Sequence, residues 1–356
     1  MFSIARLELA RKRRRLTGKS LAEKAGISPV TLSRIIKEKN EPEKETIERL
    51  ATALEYSADF FFLDEPDELD PAAVSFRSLS SMTARERDAA VSAGILAFEF
   101  SEWINERFNM PEPDLPDCSK HSDPEAAARL VRESWGIGEK PIGNLLKLLE
   151  AKGVRIFSLT EDTKNVDAFS YWRNDQPYIF LNTFKTAERS RFDAAHELGH
   201  LVMHRHGGPA GRRAEAEADR FAGSFLMPSV DVLSTIGPVR SLKDVIRHKK
   251  RWGVSAAALT YRLNKMGLIS DWLSRGFYIR LKQDYKNTEP ETGKHERSFV
   301  LEKVLTELWK EGVTQDQVSD ELKIPVDEMN ALLFGLVGDR PAFPKIRPNF
   351  KLTAVN

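Results

Sequence analysis

Apolar positions recur mostly at helical spacing, with one central region of short alternating runs. Residues 3–62 carry stripes enough for about five short helices. Leu21, Ala22 and Ala25 give one of them an apolar face, and Gly26 ends it in a tight turn. Ser28 can cap the next, with Pro29 at its first position, where no amide donor is needed. Ile27, Leu32 and Ile35 or Ile36 bury this second helix against the first, leaving Thr31, Ser33, Arg34 and Lys37 outside. The pattern predicts a helix-turn-helix, whose second helix enters the major groove of DNA.

Leu63 to Pro71 is acidic and proline-punctuated, which marks a boundary. Thr83 to Phe108 reads as one long helix with Ala90, Ala93, Leu96, Ala97, Phe100 and Trp103 on a broad apolar side. Its expected role is structural, packing a partner or spacing domains. Met110 to Ser122 is proline-rich and expected to be exposed linker; its Cys118 and His121 lack a third metal ligand. Helices are expected over about 124–135 and 141–152, then strands at Val154–Leu159, Ala168–Trp172 and Tyr178–Asn182. A small sheet of this kind offers an edge that can hold a peptide in extended form. Arg247 to Ile269 again has a helix-turn-helix rhythm, read as packing more than as a second DNA surface. Ser298 to Val337 repeats the rhythm, but its second helix carries Asp327 and Glu328 and should repel phosphate. That segment is expected to serve protein interaction, dimerisation or sensing.

The chemistry concentrates between Tyr178 and Pro228, where four of the seven histidines lie from His196 to His206. His196 and His200 are spaced i, i+4, so both imidazoles project from one helix face, with Glu197 about 100° round. Two neutral imidazoles can hold a zinc ion while the adjacent carboxylate takes a proton from its water. A third ligand from a downstream carboxylate would leave the fourth position open, the catalytic pattern. If Ala214 to Met227 is a helix, Ala218, Phe221, Ala222 and Phe225 define its buried stripe. Glu215 lies about 40° from that stripe and Glu217 roughly 120° away. Glu215 is therefore the expected third ligand, with Glu217 the alternative. Asp219 is expected to orient a ligand histidine. His204 is either a similar donor or a buried polar residue. An oxyanion-stabilising side chain should exist, but spacing does not choose among Tyr171, Tyr178 and Tyr261.

At P-Y-I-F-L-N, R-F-D-A-A-H-E-L-G-H-L-V-M-H and E-A-E-A-D-R-F-A-G-S-F-L-M-P the chain resembles the ImmA/IrrE family of zinc-dependent regulatory peptidases. The resemblance is strong over roughly Ala168 to Met227 and implies a compact zincin-like domain that cleaves a repressor or related regulator. Residues 1–62 resemble the lambda-repressor-like, XRE-type DNA-binding domain. That resemblance implies that Pro29, Val30, Thr31, Arg34 and Lys37 face DNA, with Arg34 reading a base edge. Lys19 and Ser20 would hold the backbone; Gly18 stands where many members carry Gln.

Composition adds bounds. The 356 residues allow two or three domains, and 30% charged with 41% hydrophobic residues describes a soluble globular chain. The net charge of +1 hides eleven Lys/Arg against three Asp/Glu in the first forty positions. The run Arg11 to Arg15 is expected to lie along phosphates, although cations at a helix end also suit its dipole. One cysteine excludes an intramolecular disulfide framework. No apolar run approaches a membrane span and no secretory signal is visible, so a cytoplasmic location is expected.

The expected fold is α+β and mostly helical, in five parts. These are a DNA-binding domain (1–62), a linker with the long helix and proline-rich connection (63–122), a peptidase domain with a small sheet (123–270), a helical interaction or sensing region (271–338) and a tail (339–356). The expected function is a DNA-binding transcriptional regulator in a stress or mobile-element response. Its zinc endopeptidase, with Glu197 as base, would cleave a repressor or the chain itself. The rival is a non-enzymatic transcription factor or antitoxin whose metal domain only senses. Expected partners are a double-stranded operator, a protein substrate and a second copy of the chain, with Zn2+ as cofactor and no membrane.

Overall fold

The computed structural model describes residues 1–67, 69, 83–159, 168–205, 211–286 and 288–338. The described residues form sixteen α-helices and one three-stranded sheet. The expected tail, His206 and part of the acidic linker lie outside the described residues.

The amino-terminal unit comprises α1 to α4 (Ile4–Arg13, Gly18–Lys24, Pro29–Ile36, Lys44–Leu54) and a 3-10 turn at Ala58–Phe62. Ser3, Thr17 and Ser28 cap the first three helices by each accepting the amide proton of the third helical residue. Gly26 takes φ +64°, the left-handed conformation that closes the turn before α3. Leu7, Leu21, Leu32, Leu50, Leu54, Phe60 and Phe61 fill the core. Ile35 is buried and Ile36 only partly so, which settles that choice.

Helix α5 (Ala84–Asn105) differs from its expected role. Thr83 and Glu86 form a capping box at its start, and fourteen residues on all sides are buried. A helix apolar all round belongs in a core, and α5 is the central post of the molecule, not a spacer. One side faces α1, where Arg6 pairs with Glu99 at 2.6 Å. Another lies on the sheet, with Phe98 against Tyr171, Tyr178 and Phe180. The proline-rich connection is also more packed than expected. Cys118 is fully buried, donating its amide to the Val202 carbonyl, and burial pushes its thiol up to about 11. His121 is exposed.

After α6 (Pro124–Ser134) and α7 (Leu145–Ala151) come β1 (Arg155–Leu159), β2 (Ala168–Arg173) and β3 (Gln176–Asn182). Helix α7 begins later than the sequence pattern suggests because Asn144 caps it. The sheet order is β1-β3-β2, with β3 parallel to β1 and antiparallel to β2. Asn174 and Asp175, both at positive φ, make the two-residue hairpin joining β2 to β3. Period-two alternation turns Ser170 and Trp172 towards α8 (Ala187–Met203) and Phe169 and Tyr171 towards α5.

Beyond α8 the chain is helical: α9 (Arg212–Leu226), α10 (Ser229–Thr235), α11 (Leu242–Lys249), α12 (Ala256–Lys265) and α13 (Asp271–Tyr285). The second helix-turn-helix rhythm falls on α11 and α12, which bury Val245, Ile246, Leu259 and Leu263. Lys249, 1% exposed, is enclosed there by Glu188 and Glu289.

The last unit is α14 (Phe299–Lys310), α15 (Gln315–Leu322) and α16 (Val326–Leu333). It returns to the amino-terminal unit. Glu328, almost wholly buried, accepts from Arg13 Nε at 2.6 Å and lies 3.2 Å from Arg14 Nη1. Asp327 takes Arg14 at 2.6 Å, and the Arg14 guanidinium lies over the Tyr56 ring. Arg11 is held by Glu8 and the Leu16 carbonyl. The expectation that Arg11 to Arg15 line phosphates is thus overturned for Arg13 and Arg14. Nearby acids of the same chain neutralise them first.

Candidate metal centre

Two helices build the site. Thr186 caps α8 by accepting from the Arg189 amide, and α9 follows Gly211, at φ +63°. Ala218, Phe221, Ala222 and Phe225 are fully buried, and α9 packs this stripe on α8. Gly199 sits at the crossing. A Cβ there would come within 3.0 Å of Phe221 Cδ1 and 3.3 Å of Ala218 Cα. Only a glycine lets the helices approach this closely without a shift.

The approach brings His196, His200 and Glu215 together, with one ligand atom from each within 4.8 Å of the others. His196 Nε2 is 3.2 Å from Glu215 Oε2 and 3.1 Å from His200 Nε2, which is itself 3.5 Å from Glu215 Oε1. The outer nitrogens are held as well. His196 Nδ1 lies 2.9 Å from Asp219 Oδ1, so as donor it leaves Nε2 with a free lone pair. His200 Nδ1 lies 2.9 Å from His204 Nδ1, and His204 Nε2 lies 3.3 Å from Glu217 Oε2. A carboxylate only accepts, so protons run His204 to Glu217 and His200 to His204. The Nε2 of His200 is then also a bare acceptor.

Glu217 stands apart from the centre, between His204 and Arg213. Glu197 is 1% exposed, and its Oε2 accepts from Ser170 Oγ of β2 at 2.7 Å. Burial pushes its carboxyl up to about 7, against the pull of His196 and Ser170. Burial lowers His200 to about 4, favouring the neutral form that ligates. Burial opposes ionisation of Glu215, yet the two imidazoles facing it hold its carboxyl well below the usual range. Two imidazoles facing an ionised carboxylate, each ring fixed from behind, fit a divalent transition metal such as zinc.

Ser170 was not singled out by sequence reasoning, because strand-to-helix contact leaves no spacing signal; Arg213, also missed, pairs with Glu217 at i, i+4 on α9, a spacing the sequence does carry. Of the three tyrosines, Tyr171 and Tyr178 belong to the α5 side, Tyr178 with its hydroxyl at Ser101. Both lie on the sheet face that packs against α5, opposite the face that Ser170 and Trp172 turn to α8. Tyr261 is 47% exposed beside Lys265.

On the amino-terminal unit Lys19, Pro29, Val30, Thr31, Arg34 and Lys37 are all exposed. Ser20 is half-buried, its hydroxyl 2.8 Å from that of Thr17, as suits a cap more than a free donor. The outer face of α3 is open to solvent, and α16 engages Arg13 and Arg14 at the end of α1.

Comparison with known families gives two matches. Residues 7–61 match the helix-turn-helix family, and residues 149–264 match a peptidase family described as the IrrE N-terminal-like domain. No curated protein matches the chain. No helix among the described residues is long and apolar enough to cross a membrane. The chain is thus similar to a helix-turn-helix module over residues 7–61 and to an IrrE N-terminal-like domain of a peptidase family over residues 149–264.

Proposed function

We propose that this DNA-binding regulator is a zinc-dependent endopeptidase that cleaves a regulatory protein, a repressor above all, and works in the cytoplasm where its operator lies. The observation that carries the reading is the convergence of His196, His200 and Glu215 beside the buried carboxylate of Glu197. Zinc held by those three residues would polarise the scissile carbonyl and acidify a bound water. Glu197 takes the proton and passes it to the leaving amine. Ser170 holds one oxygen of Glu197, leaving the other to carry the proton. Asp219 and His204 keep the ligand rings in the tautomer that exposes Nε2. Strand β2 lies at a sheet edge and carries Ser170, so an extended peptide laid along it would run beside the base.

The test compares wild type with Glu197→Gln, each co-expressed with repressors encoded nearby. Both proteins should carry about one zinc per chain by elemental analysis. Only wild type should cleave, the variant losing roughly 100- to 10,000-fold in rate. Equal zinc with no cleavage by either would favour a centre that senses without turnover. Zinc-free wild type, prepared without chelator, would sink the site.

A further inference from the structure

Helix α13 is amphipathic the wrong way round for a helix that serves only its own chain. Of its fifteen residues only Ser274 and Phe277 are buried. Trp272 is 82% exposed and Ile279 57% exposed. Single exposed apolar residues are ordinary, but these two share a face with Gly276, all within about 60° of arc. Gly276 sits inside the helix, at an ordinary negative φ, where alanine would be more stable. A Cβ there would meet nothing within 4 Å, so no close approach inside the chain requires the glycine. A tryptophan, a notch and an isoleucine in line form a ridge and a hollow on one surface.

We propose that this face of α13 pairs with the same face of a second copy, the helices crossing antiparallel at Gly276. The charges argue for that occupant. Asp271 and Lys282, both exposed, lie eleven residues apart and so within about 20° on one flank. A two-fold axis near Gly276 sets each Asp271 opposite the other copy's Lys282, with the exposed Arg275 of each copy beside the axis. Trp272 of each copy then packs across the hollow towards the other's Ile279. Leu268, 37% exposed, extends the apolar patch. The pairing is independent of whether the metal centre turns over.

The test is sedimentation of the full chain across a concentration series. Wild type should self-associate to a dimer. Trp272→Ala should weaken the dimer at least about 30-fold, as loss of a central aromatic anchor does. Gly276→Leu should do the same by filling the hollow, while favouring the helix itself. Lys282→Asp alone should weaken association, and adding Asp271→Lys should restore it, a rescue that misfolding cannot imitate. A wild type that stays monomeric at high concentration overturns the proposal. So does a dimer indifferent to Trp272→Ala and Gly276→Leu, or a face whose variants change only DNA affinity.

Discussion

Asp219 and His204 each lie 2.9 Å from Nδ1 of a different histidine, and under the proposed function their loss should read the same way. Asp219→Ala frees the His196 ring and should cost about 10- to 100-fold in zinc affinity, measured by chelator competition. His204→Ala should cost a similar factor through His200. Glu217→Gln should cost less, since it touches His204 and neither of the proposed ligand histidines. At the DNA surface, Arg34→Ala should lose about 1–3 kcal/mol and relax preference at one base, read by titration against operator variants. Much of this scale was legible from sequence. The choice of Glu215 over Glu217 came from angles on one helix, and the structure places Glu215 against both rings. Ser170 was not legible, since it reaches Glu197 from a strand 27 residues away.

The helices α8 and α9 make a site only because they cross closely, and Gly199 sets the distance. Gly199→Val forces a branched side chain against Phe221 and the Ala218 backbone. Overpacking of this kind costs about 1–3 kcal/mol, so the variant should melt lower and lose zinc together. The same variant of a merely supporting helix would melt lower and keep its metal. Element boundaries followed the periodicity closely, including all three strands. What α5 packs against did not follow. Its apolar breadth was visible, but breadth says that a helix is covered and not by which elements. The proline-rich connection failed for the opposite reason. Its composition reads as linker, yet Cys118 is drawn in by the Val202 carbonyl, a contact with no local signature.

Across the whole molecule, an acidic helix that should shun DNA turns out to hold the domain that binds it. Arg13, Arg14, Asp327 and Glu328 form one ionic cluster, and Glu328 is the most buried of the four. Removing one partner strands the others with little water. Glu328→Ala should therefore destabilise by about 3–5 kcal/mol, less whatever solvent reaches Arg14, and loosen the amino-terminal unit to proteases. Limited proteolysis with chemical denaturation checks both. The basic run invited a phosphate reading because sequence shows charge without its neighbour.

The cluster also sets an order of events during synthesis. Arg13 leaves the ribosome 315 residues before Glu328. At about 5–20 residues per second, the DNA-binding unit waits roughly 15 to 60 s for the acids that cover its cations. Through that interval its fold must stand on its own core, Leu7, Leu21, Leu32, Leu50, Leu54, Phe60 and Phe61, with no acid of α16 yet beside Arg13 and Arg14. A newly made chain is thus more adhesive than a finished one.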